Sequence, residues 1–186
     1  MEFSQNEACS ERPFTHPDES LPDLEHIQRM FELVQAFPQV LPRLEGEERG
    51  RAYRLFRLRA ELPAEAAIVG FFGRIRGDYP MNHLMQVDDA LVAQFPLARG
   101  LVAYCSLERG PGQWGNLAIF DTAADRSAWS EVPNHDQAVE LAPLCYHHIR
   151  LHLGRLAGGL ITIETTRYID YDSQPTWKAK RRVVGL

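Results

Sequence analysis

Residues 149–157 read IRLHLGRLA, in which Ile149, Leu151 and Leu153 alternate with Arg150 and His152. A period of two places the aliphatic set on one face of a β-strand and the polar pair on the other. The aliphatic face is suited to packing under helices. Arg150 and His152 then point to the opposite side, where a buried charge needs a partner.

The neighbours of this strand set the architecture. AIVGFFGRIR (67–76) is a second strand, rich in β-branched and aromatic residues. NHLMQVDDALVAQF (82–95) has Leu84, Val87, Leu91 and Phe95 at helical spacing, with Asn82 as the expected N-cap and Pro96 as the stop. RGLVAYCSLER (99–109) turns through Gly110-Pro111-Gly112 into WGNLAIFD (114–121), a hairpin. TAADRSAWSEV is helical, breaks at Pro133 and restarts at Asn134, and Ala138, Leu141, Ala142 and Cys145 form its apolar stripe. Pro143 is expected to kink or end this helix, with CYHH (145–148) as its last residues. Gly158-Gly159 leads into a further strand, LITIETTRYIDY.

The order over residues 67–157 is thus strand-helix-strand-strand-helix-strand. This predicts an α+β fold: a ferredoxin-like split βαβ with an antiparallel sheet and two helices on one side. If Phe72, Val102, Tyr104 and Phe120 share the other face, it cannot stay bare, and a second copy of the sheet would cover it. Before this domain (67–172) lie a polar N-terminus (1–20), expected to be mobile, and a helical extension with an arginine-rich segment (21–66). In the extension, Leu24, Ile27, Phe31 and Val34 have helical spacing, EGEERG reads as a break and RAYRLFRLR as a strand. A basic tail (173–186) carries Lys178, Lys180, Arg181 and Arg182.

The chain of 186 residues has a net charge of −5, which argues against nucleic acid as the main partner. Three widely spaced cysteines give no disulfide or zinc framework and suit a reducing compartment. No signal-peptide pattern and no membrane-length apolar run is present, so a cytoplasmic protein is expected.

The segment WGNLAIFDTAADRSAWSEVPNHDQAVELAPLCYHHIRLHLGRL (114–156) resembles the second half of dimeric α/β-barrel proteins, especially those like the antibiotic-biosynthesis monooxygenases. The shared elements are the Trp-bearing strand, the FDTAADRSAW helix entry, the NH-x-x-A restart and the closing R-L-H-x-G strand. The resemblance extends over residues 67–157. It implies a homodimer whose sheets close a barrel, with a pocket between sheet and helices in each subunit. Members include cofactor-free oxygenases of polycyclic phenols, haem-degrading and haem-bearing enzymes, isomerases and ligand-sensing modules.

Three functions follow as expectations. The first is a monooxygenase-like enzyme without metal or cofactor, acting on a small aromatic or polyketide-like compound. His152 would be its base and Arg150 its anion holder, because an imidazole can take a phenolic proton and a guanidinium can hold the resulting anion. Asn116 and Trp129 would orient the ligand, and Tyr104, Phe72, Arg74 and His135 would line its site. The second is a non-enzymatic ligand-binding or stress-related homodimer, in which Arg150 is paired with a carboxylate such as Glu164. The third is a haem protein ligated by His135, His147 or His148, although the Trp-to-His interval is shorter than in haem-degrading relatives and the A-H dipeptide is missing. A metal ion held by His148 and His152 is not expected, since a strand separates them by ~13 Å. Cys145 and His148 would be neighbours only if the helix continued through both.

Overall fold

In the computed structural model the described residues are 17–77, 79–129 and 133–172. The basic tail and residues 1–16 lie outside them. Four helices and seven strands follow in the order α1 (Pro17–Ala36), β1 (Leu41–Glu48), β2 (Arg51–Arg57), β3 (Glu65–Ile75), α2 (Met81–Val92), β4 (Leu101–Gly110), β5 (Gln113–Phe120), α3 (Ala123–Trp129), α4 (Pro133–Cys145), β6 (Tyr146–Ala157) and β7 (Leu160–Asp170). The strands form one antiparallel sheet in the order β1-β2-β4-β5-β3-β6-β7, and it does not close into a barrel.

One face of the sheet carries α1. Ile27, Met30, Phe31 and Val34 recur at three- and four-residue intervals, so they share one side of the helix and are almost completely buried. Each such burial contributes about 1.5–3 kcal/mol. They pack on Leu55, Ile68, Phe72, Cys105, Leu107, Leu117 and Ile119. Leu24, placed on the same stripe by its spacing, is instead exposed. The helix stops before Phe37-Pro38, where the proline disfavours a helical conformation in the residue preceding it.

The opposite face lies beneath α2, α3 and α4. Phe95, in a short 3-10 turn after α2, gathers Phe56, Tyr104 and Trp129 around its ring at centroid distances of 5.2, 4.7 and 5.7 Å.

Several expectations change here. The face assigned to a second sheet is covered by the chain's own α1. Phe72 lies under α1, whereas Tyr104 and Phe120 belong to the helix-covered side, so these residues do not share a face. Of EGEERG (45–50), read as a break, the first four residues end strand β1, antiparallel to β2, and only Arg49-Gly50 form the turn. The helix α4 ends at Cys145, and His147 and His148 already belong to β6, so Cys145 and His148 are not a helical pair. Met81, preceded by Pro80, opens α2, and no side-chain cap is formed there, so Asn82 is not its N-cap. Pro143 is accommodated inside the last turn of α4. The Gly158-Gly159 hairpin forms as the sequence indicates, with both glycines at positive φ, as a two-residue turn of this kind requires.

Candidate functional site

The alternation in β6 delivers its residues to two separate compartments. On the α1 side, Arg150 donates to Asp23 twice, Nε to Oδ2 at 2.5 Å and Nη2 to Oδ1 at 2.9 Å. Arg109 Nη2 lies 3.1 Å from Asp23 Oδ1, and His152 Nε2 lies 3.0 Å from Oδ2. His152 Nδ1 is 2.8 Å from the Thr166 hydroxyl. A neutral imidazole with its proton on Nε2 satisfies both contacts, donating to Asp23 and accepting from Thr166. Phe72 lies within this cluster, edge-on to His26 and His152, with the Arg109 guanidinium 5.1 Å from its ring centre. Burial alone would raise the pKa of Asp23, but hydrogen bonds from His152 and Arg150 outweigh it and hold the carboxyl below its ordinary value.

His152 is 1% exposed, and both of its ring nitrogens are engaged. The carboxylate partner of Arg150 is Asp23, not Glu164, which pairs with Arg155 at 3.5 Å. Arg74 lies on the same side of the sheet, opposite His148 in the register, and is exposed. Burial first, then the charges of Arg150 and Arg74, lower the pKa of His148 to about 3.

The other compartment is a cavity of about 410 Å³ between the sheet and α2–α4. Its floor is Val69, Phe71, Asn116, Ala118, Ile149, Leu151 and Leu153. Its roof includes Leu84, Val87, Asp88 and Leu91 from α2, Ser127 and Trp129 from α3, and His135, Ala138, Val139 and Ala142 from α4. The wall is mainly aliphatic and aromatic with a few convergent polar groups, a composition typical of small-molecule sites. His135 and Trp129 form an edge contact with ring centres 6.3 Å apart. Burial, reinforced by the charge of Asp88, pushes the Tyr104 phenol well above its ordinary range, and Tyr146 is raised in the same way, first by burial. Both residues line the cavity, and their phenols keep their protons. Burial likewise raises the pKa of Asp88 against the attraction of Arg54, whose Nη2 is 2.6 Å away.

The residues expected to form one site are thus divided. Tyr104, Asn116, Trp129 and His135 line the cavity, whereas Phe72, Arg74, Arg150 and His152 lie across the sheet. Among the described residues no three His, Cys, Asp or Glu side chains gather as a metal site would require. No described helix is long and apolar enough to cross a membrane.

Sequence reasoning passed over Asp23 and Arg109 on one side, and Asp88, Arg126 and Arg167 on the other. Asp23 did leave a trace: four residues before Ile27, it places a carboxylate on the apolar stripe of α1. The chain matches no known family model, and no curated protein matches it significantly.

Proposed function

We propose that this chain binds a small, largely apolar aromatic compound in the cavity between the sheet and α2–α4, as in proteins resembling the antibiotic-biosynthesis monooxygenases. The observation carrying this reading is the cavity wall: Phe71, Phe95 and Trp129 offer ring faces, while Tyr104, Asn116 and His135 offer polar contacts. The strand order β4-β5-β3-β6 with antiparallel pairing throughout supports a ferredoxin-like core. A homodimer of this chain would pack around α1 rather than sheet on bare sheet. Calorimetric titration with naphthol tests the binding reading. Wild type should bind, and Ala118→Phe, which fills the cavity floor, should lose binding while remaining folded by circular dichroism. Absence of binding, or binding indifferent to this substitution in the folded variant, rejects it.

A monooxygenase reading is favoured by His135 beside Trp129 on this wall, which moves the base from His152 to His135. An activated methylene of a phenolic substrate would lose its two hydrogens. One atom of dioxygen would become the carbonyl oxygen and the other would leave as water, so no external reductant is consumed. An oxygen electrode with an anthrone substrate measures this directly, and His135→Ala should abolish uptake.

A further inference from the structure

The cavity has an electrostatic bias that its aromatic wall does not explain. Arg126 from α3 and Arg167 from β7 both line it, at the side where Leu151 and Leu153 form the floor. Arg126 Nη1 is fixed by two backbone carbonyls, Ile68 O at 2.9 Å and Gly154 O at 3.0 Å. Its Nε and Nη2 make no hydrogen bond among the described residues, and neither Arg126 nor Arg167 has an ion pair there. The acidic groups near the cavity are already engaged: Asp88 is bridged to Arg54 at 2.6 Å, and Glu164 to Arg155 at 3.5 Å.

Burial lowers the pKa of Arg126. Glu164 opposes this, and the positive charge of Arg167 adds to it, so the two guanidiniums lie within electrostatic reach of one another. A guanidinium keeps its charge under these conditions. Two like charges on one wall repel, and an anion between them removes that cost. The planar donor edge of Arg126, held in place from its other end, has the form that receives a carboxylate through paired hydrogen bonds.

We infer that the cavity selects an aromatic carboxylic acid, with Arg126 and Arg167 receiving the carboxylate and the rings lying over Phe71 and Leu151 toward Trp129. This rests on the reading that the cavity binds an apolar small molecule, and it names the class of that molecule. Arg126 is the orienting contact because its position is fixed by backbone. Arg167, at the exposed rim, supplies the second charge.

Calorimetric titration of the full chain with naphthoate and with naphthylmethanol separates the inference from the reading beneath it. Wild type should bind the acid about tenfold or more tighter than the alcohol, the scale of a charge-assisted hydrogen bond. Added salt should weaken the acid alone. Arg167→Gln should erase the preference, weakening the acid about tenfold toward the affinity of the alcohol. Arg126→Gln should do the same where it folds. Because Arg126 also supports two strand carbonyls, Arg167→Gln carries the test if that variant is unstable. Equal affinity for acid and alcohol in wild type overturns the carboxylate inference and leaves the cavity reading intact. Binding of neither compound overturns both. An acid preference that survives Arg167→Gln unchanged assigns the anion to other groups and overturns the inference.

Discussion

The Asp23 carboxylate receives two hydrogen bonds from Arg150, at 2.5 and 2.9 Å, across a separation of 127 residues. This pair fastens α1 to β6, and Asp23 is wholly buried in the contact. Asp23→Asn removes the charge while Arg150 and Arg109 keep theirs. Breaking a buried ion pair from one side costs about 3–5 kcal/mol. Urea denaturation should show a loss of that order, and Asp23→Leu combined with Arg150→Met should recover part of it.

Acid should destabilise the protein in two stages. His148 takes up a proton in the folded state only near pH 3, whereas an unfolded histidine does so near ~6.5. The unfolded chain therefore binds more protons between those values, and stability falls as the pH drops through that window, by up to about 1.4 kcal/mol per pH unit. His26, lowered chiefly by burial, acts in the same direction. Asp23, with its folded pKa lowered, contributes stability that is present above its unfolded value of ~3.9 and lost as the pH falls through the folded value. Thermal melts from pH 7 to pH 4 should show a decline, and His148→Phe should flatten it. A melting temperature independent of pH would refute this account.

Arg57 closes the far end of α1. It donates from Nη1 to Val34 O at 2.6 Å, from Nη2 to Ala60 O at 2.7 Å and from Nε to Arg59 O at 2.8 Å. Lysine has neither the reach nor the fork to satisfy three carbonyls at once. Arg57→Lys should thus cost nearly as much as Arg57→Met, about 2–4 kcal/mol by chemical denaturation. Full retention of stability by the lysine variant would refute this assignment.

Gly154 lies where β6 and β7 shift register, and a Cβ there would fall 2.1 Å from Thr162 O. The obstacle is backbone, so no side-chain rotation relieves it. Gly154→Ala should lower stability by at least about 2 kcal/mol, the scale of an overpacked core, and proteolysis should cut the Gly158-Gly159 hairpin first. Gly158→Ala, which meets no neighbouring atom, should be milder and reflect only the strain of positive φ.

The order of elements over residues 67–157 was legible because most have Gly or Pro at one end at least, whereas the direct passage from α4 to β6 at Cys145-Tyr146 has neither and CYHH was read as helix. Polar LPRLEGEE was not, since an edge strand buries little and shows only weak alternation. Alternation within β6 divided Arg150 from Leu151 correctly. It did not reveal which residues of different strands share a face, because that depends on register. Phe72 pairs with Gly115 and Tyr104 with Ala118, and the odd separation of those two partners along β5 puts Phe72 and Tyr104 on opposite sides. The carboxylate opposite Arg150 was hidden for a related reason: it comes from a helix more than a hundred residues away.

The sheet is a partition one residue thick, and β6 is its clearest section. Positions 149, 151 and 153 line the cavity, while positions 148, 150 and 152 face the α1 side. Adjacent codons in this strand therefore answer to different demands. The cavity wall can be recut at the odd positions while the fastening of α1, carried by the even ones, stays as it is.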